Sequence, residues 1–381
     1  MKKITLLTFA VLFVFGCKTT PETEPVDYSD EIVLIQVKGP GVAPTGNGLH
    51  DEIEFQILAG TNHTPEKWLL EIVDEQENAV RKVPGKGSAP QLWSWDGKTD
   101  NGKTAPDGLY RGRLSIWFSG MSEPFIQETA GFVVDTTGPE GSIAFAEGLF
   151  SPDEDGINDT IEITVSAKDD LSGVQSWTLD IYDSHDAMIK SFNSESNKSG
   201  AIVWDGTDNG RVVVGSAADY RAVLRALDNL GNSSLAEESF STDILVWKEG
   251  DTFRIRVNSI TFKPYRADFL DVGDEQRLSN LETLDLLAEK LKKFPDHRIT
   301  VEGHAVSVFW NNPVKAEKEN REVLLPLSEA RARIVLEALQ ERGVNAVSMD
   351  YVGMGAIRPI VPFSDLQNRW KNRRVVFILK K

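Results

Sequence analysis

The feature that most constrains this chain is an internal repeat. The stretch "APTGNGLHDEIEF" (43–55) recurs as "SPDEDGINDTIEI" (151–163) at an offset of 108 residues. Trp68 in "WLLEIVD" recurs as Trp177 in "WTLDIYD" at an offset of 109. "WDGKTDNG" (95–102) recurs as "WDGTDNG" (204–210), and Phe132-Val-Val-Asp135 as Phe240-Ser-Thr-Asp243, again at 108. Four landmarks in one order and at nearly one spacing mean a duplicated module. Within each copy, short alternating runs such as "IEITVSA" and "GLYRGRLSIW" are punctuated by Gly, Asn and Asp. That pattern predicts an all-β sandwich of roughly seven strands per copy. Asp-Gly and Asn-Gly supply positive-φ turn positions, and the tryptophan fills a core.

From about residue 248 the pattern changes to alternating strands and helices. "FRIRVNSITF" (253–262) predicts a strand, and "SNLETLDLLAEKLKKF" (279–294) a helix with Leu281, Leu284, Leu287 and Leu291 on one face and Ser279 or Asn280 as N-cap. "HRITVEGH" is a buried strand. "LSEARARIVLEALQERG" (327–343) is a second helix with Ser328 as N-cap, Ala330, Ile334, Val335, Ala338 and Leu339 inward, and Gly343 after its end. "MDYVGMG" and "RRVVFILK" complete a β-α-β-α-β-β order, an α/β sandwich. The expected chain is therefore multidomain: two all-β modules at 31–137 and 138–246, then the α/β region at 247–381.

Charge divides along the same line. The net charge is −17. Residues 248–381 carry 23 basic against 19 acidic side chains, or +4, and the residues before them 18 against 39, or −21. Phosphates would be repelled by so acidic a front, which excludes nucleic acid as its partner.

At the N-terminus, Lys2 and Lys3 precede an apolar run from Ile4 to Phe15, too short to span a bilayer at ~20 residues. The single cysteine, Cys17, follows "VFG" directly. This resembles the lipobox of bacterial lipoproteins, which implies a signal peptide at 1–17 and an acylated Cys17 (palmitate among its acyl groups). Residues 18–30, "KTTPETEPVDYSD", read as an extended tether that reaches ~40 Å at ~3.3 Å per residue.

The "WDG…DNG" modules resemble the Ig-like modules of bacterial hook-cap and envelope proteins. The last region resembles the OmpA-like peptidoglycan-binding domain, also found in peptidoglycan-associated lipoproteins. The blocks that carry the resemblance are "ITF…ADF" (260–269), "ITVEGHA" (299–305), "LSEARARIVLEAL" (327–339), "GV" (343–344), "YVGMGAIRPIVP" (351–362) and "NRWKNRRVVFIL" (368–379). It implies non-covalent binding of the diaminopimelate-containing stem peptide of the wall. The family arginine of "LSxxRA" falls on Arg331, expected in the first turn of its helix. The Asn-Arg pair of "NRRV" falls on Asn372 and Arg373, and the Gly-His pair on Gly303 and His304. A guanidinium suits a carboxylate because its parallel N–H donors match the two oxygens.

One part of the pattern is missing. The family's ligand-binding aspartate in "GHxD" is Val306 here, and the asparagine of "NxxLS" is Leu324. An insertion, "SVFWNNPVKAEKENREVLLP", separates Val306 from Leu327. Three readings follow: Glu317, Glu319 or Glu322 supplies the missing acid, the wall carries a different diamino acid, or the fold persists without wall binding. His304 is expected to bond to backbone at the strand end, and Phe309 and Trp310 to cover the insertion's own core.

Asp153, Asp155 and Asp159 surround Gly156 in a spacing that suits a calcium loop, but the distant Glu of the full calcium-loop pattern is absent and an acidic Asx turn opening the strand is the preferred reading. Catalysis is not expected: His50, His63, His185, His297 and His304 show no metal-ligand or triad spacing. Two functional readings remain. One is an outer-membrane lipoprotein in the periplasm that ties membrane to peptidoglycan. The other is an envelope scaffold whose modules bind envelope proteins.

Overall fold

The computed structural model describes residues 27–60, 62–194, 199–344 and 349–381. The expected signal peptide, with Cys17, and most of the expected tether lie outside the described residues. The chain divides into two compact units. Unit 1 holds Glu54–Ser94 and Arg111–Gly131 together with the segment up to Lys38. In it, Val33–Lys38 runs antiparallel to Ile53–Ala59, and Lys67–Asp74 to Ala79–Lys86. Leu70, Ile72, Ile116 and Phe118 are buried.

Unit 2 comprises Gly39–Ile53, Trp95–Tyr110 and Phe132–Lys381. One antiparallel sheet has the order Met188–Ser194, Val174–Asp183, Asp219–Asp228, Ser233–Ser241. A second joins Glu140–Phe145, Ile161–Lys168 and Gly200–Trp204. Strict alternation in "IEITVSAK" buries Ile161, Ile163, Val165 and Ala167, so one face of that strand is apolar. These side chains meet Leu179, Ile181, Leu224 and Phe240 of the other sheet in one buried cluster.

The repeated turns have the same physical construction in both copies. Trp95 Nε1 donates to Lys98 O at 2.8 Å, and Trp204 Nε1 to Thr207 O at 2.9 Å. Gly97 and Gly206 both have φ near +70°, and a Cβ on either would strike a proline ring, Pro44 or Pro152. Glycine is required at both places for conformation and for space.

The C-terminal part of unit 2 is a five-stranded sheet in the order Trp247–Glu249, Thr252–Val257, Val375–Lys380, Arg298–Gly303, Met349–Gly353. Only its last pair is parallel. Helices α1 (Asp274–Lys292) and α3 (Leu325–Glu341) join its core, with Leu284, Leu287, Leu291, Ala332, Val335 and Leu339 buried among Ile299, Val301 and Phe377. No helix among the described residues is long and apolar enough to cross a membrane.

Four expectations change. The strand expected over 253–262 ends at Val257. Helix α1 begins at Asp274, five residues before Ser279, behind Gly273 and without a side-chain cap. Asn280 is instead fully buried: its Oδ1 accepts from Thr261 N, and its Nδ2 donates to Thr261 O and Phe269 O. Ser328 caps no helix either, because α2 (Pro313–Glu319), a π-helical turn (Asn320–Leu324) and α3 run on without a break. The inward face of α3 adds Ala332 and Leu336, while Ala330 stays half-buried.

Candidate functional site

Two glycines decide where α3 sits. A Cβ on Gly303 would lie 2.8 Å from Ser328 C and closer still to its oxygen. One on Gly353 would lie 2.5 Å from Leu325 O and 2.7 Å from Glu329 N. The ends of the two parallel strands therefore touch the helix backbone directly. Ser328 locks the contact, its Oγ donating to Leu325 O and accepting from Gly355 N.

That seating directs Arg331 into a cavity of about 360 Å³. Arg331 lies in the second turn of α3 inside a continuous helical run, not at a helix start. The helix N-terminus thus adds no positive potential there. The side chain is buried, with Nε donating to Arg266 O at 2.9 Å and Nη2 to Lys263 O at 3.1 Å. Its guanidinium stacks 4.7 Å from the Phe262 ring centroid. Nη1 has no hydrogen-bond partner among the described residues, so the Nη1–Nη2 edge can still take a carboxylate end-on. Burial, and then the neighbouring Arg373 charge, push the Arg331 pKa down to about 10, which leaves it cationic at neutral pH.

Arg373 and Arg369 also line the cavity, with Phe262, Tyr265, Val306, Leu324 and Trp370. No carboxylate is among the lining residues. Tyr265 is exposed and holds φ at +55°, a conformation that costs an aromatic residue energy and that the surrounding bonds must maintain. Arg331 supplies two of those bonds, on either side of Tyr265, and Asn280 supplies three more from α1. Across the opening, His185 stacks on Trp370 at 3.9 Å between centroids.

The other expected site residues stand behind this wall. Asn372 is buried, its Oδ1 accepting from Ile360 N and Val361 N and its Nδ2 donating to Val361 O, so it holds the loop beside Arg373. His304 does not line the cavity. Its backbone N donates to Arg374 O, but neither ring nitrogen has a hydrogen-bond partner, and Nε2 lies 3.5 Å from Glu302 Oε2. Burial holds the imidazole below its usual pKa. Arg374 is buried and donates to Arg358 O.

The insertion supplies no acid to the cavity. Glu319 is buried, but it accepts from Ser307 Oγ at 2.6 Å and from Val308 N, which consumes it in folding its own loop. Glu317 and Glu322 are exposed and do not line the cavity. Phe309 and Trp310 are exposed as well, rather than covering a core.

Asp153, Asp155 and Asp159 do converge, one oxygen from each within 4.8 Å of the others. Asp159 accepts from Glu154 N and Gly156 N, and Asp155 from Ile157 N. In the first copy Asp51 accepts from Gly46 N and Gly48 N, and Asn47 from Leu49 N, so the same turn forms there without a third acid. Asp153 is the addition: its Oδ2 accepts from Val246 N, and burial raises its pKa.

Sequence reading missed Phe262, Tyr265, Arg369, Trp370 and His185. An aromatic residue set among basic ones, as in "FKPYRAD" and "NRWKNRR", is the signal that could have found the first four. Nothing local marks His185.

Residues 275–373 match the OmpA family. Over 123 residues the chain is 32% identical to the peptidoglycan-binding protein ArfA of Mycobacterium tuberculosis, covering 32% of this chain and 34% of that protein. Over 97 residues it is 34% identical to the peptidoglycan-associated lipoprotein of Rhizobium meliloti, covering 26% of this chain and 49% of the relative. The chain thus spans half or less of the length of these relatives. Among solved structures, the periplasmic domain of Helicobacter pylori MotB is similar over 36% of this chain and 78% of its own, at 20% identity and a TM-score of 0.29. The peptidoglycan-associated lipoprotein of Burkholderia pseudomallei is similar over 32% and 86%, at 25% identity and a TM-score of 0.24.

Proposed function

We propose that residues 247–381 hold the peptide stem of peptidoglycan non-covalently in the Arg331 cavity. The observation that carries this reading is a cavity lined by Arg331, Arg369 and Arg373 with no carboxylate among its lining residues. Such a site receives an anion. The free edge of Arg331 grips a ligand carboxylate, Arg373 at the rim adds a second cation, and Phe262, Tyr265 and Trp370 pack along the peptide. The names of the relatives support peptidoglycan as the source of that carboxylate. Asn372, Gly303 and His304 act behind the wall, positioning the loop and helix that carry the arginines. With Val306 where an acid would pair an ammonium, recognition rests on the carboxylate end of the ligand.

In this reading Cys17 carries the lipid anchor, residues 18–30 are the tether, and two Ig-like sandwiches at 31–137 and 138–246 are spacers. The chain is then an outer-membrane lipoprotein facing the periplasm that ties membrane to wall without catalysis. Co-sedimentation with purified sacculi tests it: the wild type pellets and Arg331→Ala stays in the supernatant. Equal pelleting of the two, or no pelleting of either, refutes the pocket. Palmitate labelling that survives Cys17→Ser refutes the anchor. The missing acid also favours a second reading, an envelope scaffold whose C-terminal domain has lost the wall, and a wild type that never pellets would select it.

A further inference from the structure

The first repeat closes on Asp135 and the second on Asp243, the same position 108 residues later. Asp243 has a cation: Lys290 Nζ lies 3.1 Å from its Oδ2. Asp135 has none. Its carboxylate meets those of Asp169 and Asp228, one oxygen from each lying within 4.8 Å of the others. Asp135 and Asp228 are 0% exposed, and Asp169 is half-buried, leaving a way in from solvent. None of the three has an ion-pair partner among the described residues. Backbone amides donate to each of them, from Thr137 and Ser172 to Asp135, from Leu171 and Gly173 to Asp169, and from Leu230 and Asn232 to Asp228. These dipoles offset part of the burial cost, and the mutual repulsion of three carboxylates is left for a positive charge to offset.

A second observation marks the same place. Asn232 is only 6% exposed, and its Nδ2 donates to Asp228 Oδ2 at 2.7 Å and to Asp135 O at 2.9 Å. Both partners are acceptors, which fixes the orientation of the carboxamide. Its Oδ1 is fully shielded and accepts nothing. Ser172, whose N–H donates to Asp135 Oδ2, has a shielded Oγ that is likewise without a partner. Oxygens stripped of both water and donors around an anionic cluster are what a bound cation would satisfy.

We propose that Asp135, Asp169 and Asp228, with the Asn232 carboxamide oxygen, form a site for a hard divalent cation of the calcium class. Calcium takes oxygen ligands at 2.3–2.6 Å, so ligand oxygens across the ion stand up to ~5 Å apart, which accommodates the observed cluster. The donor set contains no sulfur or imidazole, which disfavours zinc and copper. The Asp153 cluster differs in having a cation at hand: Lys290 is near enough to act on Asp153. The ion ties the exit of strand Phe132–Val134 to the loops at Asp169–Gly173 and Asp228–Asn232, where the first repeat passes into the second.

The test is calcium titration of the full-length chain in detergent by calorimetry, with melting in calcium and in EDTA. One site, a higher melting temperature in calcium, and slower proteolysis near Thr136–Pro139 are expected. Asp228→Asn should weaken binding about 10-fold or more. Should Asp228→Asn fail to fold, Asp169→Asn, at the more exposed ligand, should weaken it as well. Asp155→Asn should leave it unchanged. No binding at millimolar calcium overturns the proposal, as does binding that Asp155→Asn abolishes while Asp169→Asn does not.

Discussion

Gly303→Ala isolates the link between sheet packing and ligand binding, because Gly303 does not line the cavity. Its new Cβ would sit 2.8 Å from Ser328 C and 3.4 Å from Ala332 Cβ, against ordinary carbon–carbon contacts of about 3.5–4.0 Å. The first turns of α3 must therefore move by roughly 0.7 Å or more, since the obstacle is backbone and cannot rotate away. Overpacking of this kind costs about 1–3 kcal/mol. Less glycine entropy in the unfolded chain returns about 0.4–1 kcal/mol. A net loss of about 1–2 kcal/mol is expected. Arg331 rides on the displaced helix, so its bonds to Lys263 O and Arg266 O lengthen and the Tyr265 turn loosens. The assay is calorimetric melting paired with sacculus co-sedimentation at a temperature where the variant remains folded. Gly200→Ala is the control, because a Cβ there meets nothing within 4 Å. Gly303→Ala that melts within about 0.5 kcal/mol of wild type would refute the packing argument. Normal melting loss with undiminished wall binding would refute the link from helix position to ligand.

Asn372→Ala removes three bonds to the loop at Ile360–Val361 and should cost about 1–3 kcal/mol, read by denaturant unfolding. Val306→Asp returns an acid to the cavity beside Arg331. It should raise affinity for a free peptide ending in a diamino acid over one ending in a mono-amino acid, and calorimetry showing no change in that ratio would sink the idea. His304 has its pKa lowered by burial, so below about pH 6.5 the unfolded chain binds a proton there more readily than the folded one. Stability should therefore fall as pH drops from about 6.5, and His304→Gln should flatten part of that slope in melts at stepped pH. Trp370→Ala opens the His185 stack and should weaken sacculus binding while leaving the melting of the C-terminal core nearly unchanged.

The repeat, its turns and the change to strands and helices after residue 248 were legible because they rest on local chemistry. Gly97 and Gly206 must adopt positive φ, "IEITVSAK" can bury only one face, and the leucines of α1 fall at helical spacing wherever the helix begins. Arg331 was legible as a residue and its environment was not. Its partners are carbonyls at Lys263 and Arg266, more than sixty positions away, and only the closed sheet brings them together. Glu319 illustrates the same division. In sequence it was an available acid, and in the fold Ser307 and Val308 take its oxygens before any ligand can. Local order follows from propensity and pattern, which adjacent residues decide among themselves. The composition of a cavity depends on which distant groups pack against one another, and on which hydrogen bonds the fold has already used.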